Sequence, residues 1–491
     1  MRPALPLTEL AEVLRDARLL DGESGPEDAV VRGVSHDSRA VAPGDVFLAW
    51  RGYESDGHDY VEDARRAGAV AAVVERFLPE VALPQLRVRD GRHAAALVAD
   101  RVLGSPGRKL RLVGVTGTNG KSTTTLLLRS LLADVPGGAA AIGTLGLVGP
   151  DGTVRPGTEG LTTPGPVTLA TWLAGLVEEG VEVVVMEASS HALSQRRLDA
   201  LRFEVAVFTN LSRDHLDYHG GMDAYRTAKL HLRDLLAEGG TLVVNGDDPA
   251  WEGLHGDDVL RFSLADRGTL RAANVLVTPH GSRFSLLQGE ESAAVELPLL
   301  GAFNVQNALA AGGAALTLGR SLGEVAAGLS AAPQIPGRME VVVSRPFTVV
   351  IDFAHTPDAL ENLLTTLTRL GPERLVVLFG AGGDRDRGKR RPMAEAVARH
   401  ADRVFLTSDN PRTEDPETIL DDLEEGLGGV DRVRLVDRRE AIRRAVLESR
   451  EGDVLVLAGK GHETYQVVGT VRRPLDERVE VRAAMKLRGA A

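Results

Sequence analysis

The sequence contains no cysteine, which excludes disulfide bonds, thiolate catalysis and cysteine-ligated metal sites. It also lacks an uninterrupted apolar run of about 18 residues, so we expect no membrane-spanning helix. The opening segment, MRPALPLTEL, has no continuous apolar stretch of the kind that a secretory signal peptide needs. Together these absences favour a protein of the reducing cytoplasm.

An excess of positive charge is also lacking, because 69 acidic residues outnumber 57 lysines and arginines and the formal net charge is −12. A non-specific nucleic-acid binder needs a basic surface, so we expect no nucleic-acid partner. Local basic clusters can still bind anionic small molecules. The densest such cluster consists of Arg385, Arg387, Lys389, Arg390 and Arg391.

No low-complexity segment or short-period repeat interrupts the 491 residues, and this length predicts about three domains. Apolar strand-like runs alternate with amphipathic helical runs, which predicts an α/β fold with mainly parallel sheets. Breaks rich in proline and glycine at 104–108 and 333–337 divide the chain into 1–106, 107–333 and 334–491. We expect the second break to act as a hinge.

The most informative stretch is Gly117-Thr118-Asn119-Gly120-Lys121-Ser122-Thr123, directly after the apolar run 112–116. A buried strand that enters a Gly-rich turn ending in Lys-Ser is typical of a phosphate-binding loop. Its lysine would reach the outer phosphates, and the Ser122 hydroxyl would bind magnesium. The commonest P-loop has glycine where this chain has Val115, so the loop is a less common form. The competing interpretation is an ordinary Gly-rich turn.

Two further apolar strands would deliver polar side chains beside this loop. Residues 183–186 lead into Glu187, and residues 205–208 lead towards His215. Magnesium prefers oxygen ligands, so a carboxylate near Ser122 is expected, whereas histidine is a less usual ligand. Taken singly, either side chain could be structural, but their joint position beside a phosphate loop favours a metal site.

One pattern, an apolar strand followed by a polar loop, recurs in the last third of the chain. Apolar strands predicted at 347–351, 374–379, 403–406 and 454–457 each end in a polar or Gly-rich loop. Ligands bind outside the carboxyl ends of the strands in an open α/β sheet. We therefore expect a Rossmann-like third domain with a binding crevice at this edge.

These motifs, in this order, resemble those of the Mur ligases of peptidoglycan synthesis. The matching segments are the phosphate loop, Glu187-Ala188-Ser189-Ser190-His191, residues 209–219, 301–307 and 337–340. Three C-terminal motifs are similar to those of the family members that add the third amino acid of the peptide. They are the segments at 352–358, 382–386 and 409–412.

The resemblance implies an enzyme, an ATP-dependent amide ligase that acts on small molecules. It would add meso-diaminopimelate to the D-Glu carboxylate of UDP-MurNAc-L-Ala-D-Glu through an acyl phosphate. Residues 1–106 would bind the uridine end of this substrate, a P-loop-type domain at 107–333 would bind ATP, and 334–491 would bind the amino acid. We expect a monomer.

The resemblance also implies which residues act on ATP and Mg²⁺. Lys121, Glu187, His215 and Lys229 would be catalytic, and Lys229 would be a carbamate that holds a second Mg²⁺. The magnesium ligands would be Ser122, Glu187, His215 and that carbamate. The other residues implied to contact ATP are Gly117, Thr118, Asn119, Gly120, Ser122, Thr123, Asn304, Asn307, Arg338, Asp352 and His355.

The sugar-peptide substrate would be held by residues of the first two predicted domains. The residues implied by resemblance are Ser38, Tyr53, Glu54 and Ser55 for the uridine end, and Thr162, Thr163, Ser189, Gln195 and Arg197 for the muramoyl dipeptide. Relatives often have asparagine before the paired threonines, where this chain has Leu161. A side-chain contact at that position is therefore not expected.

The amino-acid pocket is implied by the motif Asp409-Asn410-Pro411-Arg412, together with Arg390, Gly459 and Glu463. Arg412 can bind the second carboxylate of diaminopimelate bidentately, and Glu463 can accept its distal ammonium. L-Ornithine and L-lysine remain alternatives for the added amino acid.

Two more distant alternatives remain. Folylpolyglutamate synthase also makes amides to glutamate, but the first 100 residues resemble a uridine-binding domain. A P-loop switch protein would hydrolyse ATP and would not need an amino-acid site. The C-terminal loops match such a site, which disfavours the switch. Phosphate release that needs both the dipeptide nucleotide and an amino acid separates the three possibilities.

Overall fold

The structure is a computed structural model that describes residues 4–26, 28–52, 55–157, 160–278 and 281–489. Its chain forms two units. The first comprises Met1–Ala272, Leu286–Ala293 and Gln306–Leu329, and the second Ala273–Ser285, Ala294–Val305 and Ser330–Ala491. The first two predicted domains thus lie largely in one unit, and the three-domain division stays a prediction.

The N-terminal part of the first unit is a small α/β layer. Strands β4 to β7 pair in parallel and β2 joins them antiparallel, in the order β2-β7-β6-β5-β4. Buried leucine, valine and alanine side chains of α1, α3 and the sheet form its core. The elements are β1 Leu5–Pro6, α1 Leu7–Asp16, β2 Leu20–Ser24, β3 Val30–Val31, β4 Gly33–Ser35, β5 Asp45–Leu48, α2 Val61–Ala67, β6 Ala71–Val74, β7 Gln85–Val88 and α3 Gly91–Val102.

The central sheet follows in the chain. Its elements are β8 Arg111–Thr116, α4 Lys121–Leu131, β9 Ala139–Gly143, β10 Gly146–Val148, β11 Val154–Arg155, α5 Pro166–Glu178, β12 Val183–Glu187, α6 Ser190–Ser194, β13 Phe203–Phe208, α7 Leu216–His219, α8 Met222–Asp234, β14 Leu236–Asn245, β15 Val259–Ser263, β16 Leu270–Thr278, β17 Gly281–Gln288, β18 Glu291–Leu297, α9 Ala302–Thr317 and α10 Leu322–Ser330. The strand order is β11-β10-β9-β12-β8-β13-β14-β15-β16-β17-β18.

Strand β8 lies between β12 and β13 and is parallel to both. Because it is covered on both faces, it reads as a nearly continuous apolar run rather than as an alternating one. The carboxyl ends of β8, β12 and β13 therefore share one edge, and the loops that follow them meet there.

The second unit contains a sheet of order β19-β20-β24-β21-β22-β23, which is parallel except for β19. The four strands predicted in this region are confirmed, and so is the α/β class. The elements are β19 Glu340–Val343, β20 Thr348–Asp352, α11 Pro357–Thr368, β21 Arg374–Phe379, α12 Arg390–Ala398, β22 Arg403–Leu406, α13 Pro416–Glu424, β23 Asp431–Arg434, α14 Arg438–Glu448, β24 Asp453–Ala458, β25 Tyr465–Val468, β26 Val471–Pro474 and α15 Glu477–Gly489. None of the helices in the described ranges is long and apolar enough to cross a membrane.

Candidate active site

The predicted phosphate loop joins β8 to α4, as its sequence pattern indicated. Gly120 precedes the helix with a φ of +83°, and Lys121 is the first helical residue. The ammonium of Lys121 donates to the carbonyl oxygens of Gly117, at 3.0 Å, and Thr118, at 2.9 Å. These carbonyls hold the lysine over the loop, where an anion at the helix N-terminus would meet it.

Two glycines of the loop are required by close approach. A Cβ added to Gly120 would lie 2.2 Å from Oδ1 of Asn307. A Cβ added to Gly117, whose φ is +146°, would lie 1.9 Å from Oγ1 of Thr209. Asn307, on α9, therefore lies against the phosphate loop, where a residue that contacts ATP is expected.

Glu187 ends β12 and is paired in register with Val115 of β8. Its side chain is buried, with Oε1 accepting from the Thr144 amide at 2.9 Å and Oε2 from the Thr144 hydroxyl at 3.2 Å. A Cβ on Gly143 would lie 2.1 Å from Oε1, so glycine leaves the room that the carboxylate occupies. The predicted carboxylate is thus held rigidly beside the strand that leads into the phosphate loop.

The donor chemistry here fits magnesium. The carboxylate of Glu187 and the hydroxyl of Ser122, both on buried residues, are the oxygen ligands that this ion prefers. Among the described residues, no three carboxylate, imidazole or thiol groups are arranged to hold a metal.

Lys229 lies on α8 with its side chain fully buried, although a lysine on a helix is usually exposed. Its Nζ donates to the Gly117 carbonyl at 2.6 Å and lies 4.4 Å from the centroid of the Tyr225 ring. Burial, with help from the nearby Lys121 ammonium, lowers the pKa of Lys229 well below its ordinary value. The structure therefore places a readily neutral amine against the phosphate loop.

His215 precedes α7 with a φ of +52°, and its side chain is about half exposed. Its ring lies edge-on to that of His191, with the centroids 4.7 Å apart. Burial is the main cause that lowers the pKa of His191 to about 4, and the charge of the neighbouring His215 and His219 contributes to the shift. His215 therefore faces a neutral imidazole, and its Nε2 lies 3.5 Å from a carboxylate oxygen of Asp214.

The residues predicted to hold the muramoyl dipeptide form a connected group. The Thr163 hydroxyl donates to the Glu187 carbonyl at 2.7 Å and accepts from the Ser189 amide at 3.1 Å. Arg197 donates to the Thr163 carbonyl at 2.8 Å and to Oε1 of Gln195 at 2.6 Å. Thr163 is fully buried, so it supports the segment that carries Ser189, while Thr162 is partly exposed.

The predicted uridine-binding residues lie in the N-terminal layer. Ser38 begins a short 3-10 turn that follows Asp37, whose carboxylate accepts from the Arg39 amide at 3.0 Å. The Ser55 carbonyl accepts from the Gly52 amide at 2.9 Å. Tyr53 and Glu54 lie outside the described residues.

Four predicted ATP-contacting residues belong to the second unit. Asn304 is buried and donates to the Leu300 carbonyl at 2.8 Å. The Asp352 carboxylate accepts from the Met339 and Ala354 amides, at 2.7 and 2.8 Å, and burial raises its pKa. The Arg338 guanidinium lies 5.2 Å from the ring of Phe353, and the same ring lies 4.6 Å from that of His355.

The loops that follow β22 and β24 meet around one lysine. Lys460 is fully buried, and its ammonium donates to Oε2 of Glu463 at 2.7 Å and to Oδ1 of Asn410 at 3.1 Å. Asn410 in turn donates to Glu463 at 2.9 Å. A Cβ on Gly459 would lie 2.6 Å from Oδ2 of Asp409. The structure thus brings together four residues predicted for the amino-acid pocket.

The two arginines predicted for that pocket differ in their surroundings. Arg412, which follows Pro411 and has a φ of +53°, donates to the Gly383 carbonyl at 2.7 Å. The Arg390 side chain is 1% exposed and binds the carboxylates of Glu414, at 2.6 Å, and Asp422, at 2.9 Å. Arg390 therefore fixes the neighbouring segments, whereas the Arg412 guanidinium donates to a main-chain carbonyl and, among the described residues, pairs with no carboxylate.

Comparison with known proteins identifies the family. Three family models match: the Mur ligase family catalytic domain at 30–101, the Mur ligase middle domain at 115–315 and the Mur ligase glutamate ligase domain at 337–461. The UDP-N-acetylmuramoyl-L-alanyl-D-glutamate–2,6-diaminopimelate ligase of Geobacillus kaustophilus is 43% identical over 92% of this chain and 94% of its own. The chain belongs to the Mur ligase family.

Solved structures extend this result. A structure of a UDP-N-acetylmuramoyl-L-alanyl-D-glutamate–2,6-diaminopimelate ligase matches this Mur ligase with a TM-score of 0.70, at 35% identity over 99% of this chain and 100% of the other. The folylpolyglutamate synthase of Mycobacterium tuberculosis matches with a TM-score of 0.61, at 21% identity over 74% of this chain and 92% of its own. The second likeness is one of fold alone.

Sequence reasoning missed Thr144 and Lys460 in this Mur ligase. Thr144 follows the short apolar strand β9, which neighbours β12, so its place after a strand end was the available signal. Lys460 lies within a Gly-rich loop after β24, where a lysine reads as solvent-exposed. For Lys229 the signal was its position on the buried stripe of α8, between Tyr225 and Leu232.

Proposed function

We propose that this Mur ligase joins meso-diaminopimelate to the D-Glu carboxylate of UDP-MurNAc-L-Ala-D-Glu, with ATP converted to ADP and phosphate. The reaction would supply a peptidoglycan precursor. The observation that carries the proposal is the phosphate loop flanked by two buried groups, the Glu187 carboxylate and the Lys229 amine. The names of the relatives at 35–43% identity support the choice of substrate.

A carboxylate is a poor electrophile, so the chemistry needs an activated acyl group. In the first step a carboxylate oxygen attacks the γ-phosphorus of ATP, which expels ADP and gives an acyl phosphate. The amine then adds to the acyl carbon, and the tetrahedral intermediate expels phosphate and loses a proton to give the amide. Lys121 stabilises the negative charge of the transferring phosphoryl group from the helix N-terminus.

Magnesium, when bound, would screen the phosphate oxygens from the incoming carboxylate. Ser122, Glu187, His215 and Lys229 would hold it, the lysine as a carbamate. Carbamate formation adds CO₂ to a neutral amine and releases one proton, converting the neutral amine into an oxygen-ligating anion. The burial of Lys229 and its lowered pKa provide that neutral amine.

The sugar-peptide would lie along the first unit. We propose that Ser38, Tyr53, Glu54 and Ser55 hold its uridine end, and that Thr162, Ser189, Gln195 and Arg197 hold the muramoyl dipeptide, with Thr163 supporting them. Asn304, Asn307, Arg338, Asp352 and His355 would contact ATP together with the phosphate loop. Arg197 and Gln195 are already hydrogen-bonded to each other, which leaves little freedom to be lost on binding.

The amino-acid pocket favours diaminopimelate over lysine or ornithine on electrostatic grounds. Arg412 would bind the distal carboxylate and Glu463 the distal ammonium. Lysine lacks that carboxylate and would leave Arg412 without a bound anion, at a cost of up to about 3–5 kcal/mol for a fully buried pair. Oε2 of Glu463 already accepts from Lys460 and Asn410, so Oε1 is the oxygen that would accept the distal ammonium.

The proposal is tested by incubating the protein with ATP, Mg²⁺, UDP-MurNAc-L-Ala-D-Glu and an equimolar mixture of diaminopimelate, lysine and ornithine. Mass spectrometry should show one product, heavier than the substrate by diaminopimelate less one water. A lysine or ornithine product in excess would refute the pocket assignment. No product with any of the three would refute the ligase. Sedimentation of the same sample checks the expectation of a monomer.

A further inference from the structure

Segment 195–199, which follows α6, presents its side chains in two directions. Arg196 has a φ of +55°, which turns the chain at the middle of the segment. On one side, Gln195 donates to the Tyr218 hydroxyl at 3.2 Å and Arg197 to the Thr163 carbonyl at 2.8 Å. The other side carries Arg196 and Asp199, which the proposed mechanism does not use.

The Asp199 carboxylate lies where segment 195–199 meets two helices of the first unit. Its side chain is 5% exposed, and it accepts from Arg196 at 2.7 Å and from Nε2 of His231, on α8, at 2.9 Å. Nε2 of His93, on α3, lies 3.6 Å away. Arg196 also lies 4.0 Å from Asp90, the residue that caps α3. A buried carboxylate that binds α8 and its own segment, with α3 within 3.6 Å, keeps segment 195–199 close to both helices.

Burying the Asp199 carboxylate costs free energy that a solvent-exposed carboxylate would not. A buried carboxylate must be compensated by several hydrogen bonds, and breaking such a network is strongly destabilising locally. Here the compensation comes from His231 and from Arg196, which is adjacent in sequence to both substrate-facing side chains. If the carboxylate moves, Arg196 moves with it, and the neighbouring Gln195 and Arg197 are displaced.

We propose that Asp199 is a positioning residue for the muramoyl-dipeptide site. It holds segment 195–199 against α3 and α8, so that Gln195 and Arg197 keep the orientation that binds the substrate. Because α3 belongs to the N-terminal layer, the same carboxylate ties the uridine-binding part of the unit to the dipeptide-binding part. The inference rests on the proposed function of Gln195 and Arg197.

The test is Asp199→Asn, which keeps the shape of the side chain and removes its charge. The KM for UDP-MurNAc-L-Ala-D-Glu should rise by about tenfold or more, because a small misplacement of binding groups is costly. The KM values for ATP and diaminopimelate should stay within about twofold, since their proposed ligands lie elsewhere. The matched control is Asp453→Asn, a buried carboxylate bound by Arg374 in the second unit, which should leave the nucleotide-substrate KM unchanged.

Arg196→Gln provides a second variant in case Asp199→Asn does not fold. Its side chain is 45% exposed, so the protein should tolerate the change. The same selective rise in KM is expected, with a smaller size. An unchanged KM for the dipeptide nucleotide in folded variants would overturn the inference, and so would an equal rise for all three substrates. Absence of ligation by the unaltered protein would instead refute the proposed function.

Discussion

The amine of Lys229 donates to the carbonyl oxygen of Gly117 at 2.6 Å, and the ammonium of Lys121 reaches the same oxygen at 3.0 Å. Two cations that share one acceptor repel each other, and burial removes the solvent that would screen them. The arrangement therefore favours a neutral Lys229. A neutral amine beside a phosphate loop is what carbamate formation requires.

Replacing Lys229 by alanine should abolish most of the ligase activity, by on the order of 100-fold or more, because a charged group at the phosphoryl site is lost. Added formate or bicarbonate should restore part of it by supplying a small oxygen anion to the vacated space. Phosphate release is the measurement. Carbon-13 NMR of the unaltered protein in labelled bicarbonate should show one carbamate resonance that the variant lacks.

The control for this variant is Lys486→Ala, since Lys486 lies exposed on α15. It should keep full activity and should not respond to formate. Full activity of Lys229→Ala without any added anion would contradict the carbamate.

Gly120→Ala should strongly lower the catalytic efficiency with ATP. The new methyl group would meet Oδ1 of Asn307 at 2.2 Å, in addition to the strain of a φ of +83°. We expect kcat/KM for ATP to fall by about 100-fold, since the loop must shift to relieve the clash.

Gly104→Ala is the matched control, because its φ is +82° and no heavy atom lies within 4 Å of the added Cβ. It carries the same backbone strain of about 1–2 kcal/mol without the clash. Its thermal midpoint should fall while the KM for ATP stays the same. Equal loss of ATP use in both variants would show that the Asn307 contact is unimportant.

Arg412→Ala should lower the preference for diaminopimelate over lysine. Diaminopimelate loses the partner of its distal carboxylate, which predicts a fall in its kcat/KM of about 100-fold or more. Lysine has no such carboxylate, so its kcat/KM should change by less than about threefold. Competition between the two amino acids measures the ratio directly. If the ratio of diaminopimelate to lysine incorporated equals that of the unaltered protein, Arg412 does not bind the distal carboxylate.

The ion pairs around Arg390 predict how the second unit responds to acid. The Arg390 guanidinium holds the pKa of Glu414 below its ordinary value of 4.5. A lowered carboxyl pKa contributes stability that is fully present above about 4.5 and is lost as the pH falls through the lowered pKa. Glu414→Gln should therefore flatten the fall of the thermal midpoint below about pH 4.5. Glu451→Gln, at an exposed carboxylate, should leave that fall unchanged.

Much of this site follows from local sequence signals. The phosphate loop, the strand that ends at Glu187 and the four C-terminal strands were predictable, because apolar runs and Gly-rich turns are read within a few residues. Lys229 could be placed on the apolar stripe of α8, but its contact with Gly117 could not be predicted, since it depends on β8 lying against α8. Asn410 meets Glu463 across 53 residues of chain, and the burial of Lys460 between them has no local signal for the same reason. Contacts that depend on the order of strands in a sheet cannot be predicted from the local sequence around the residues that form them.

The transfer of labelled oxygen tests the central claim most directly. UDP-MurNAc-L-Ala-D-Glu labelled with oxygen-18 in its acceptor carboxylate is incubated with ATP, Mg²⁺ and diaminopimelate, and the released phosphate is analysed by mass spectrometry. Activation through an acyl phosphate predicts one labelled oxygen in each phosphate, and steady release only when diaminopimelate is present. Unlabelled phosphate, or equal release without the dipeptide nucleotide, would contradict the ligase mechanism.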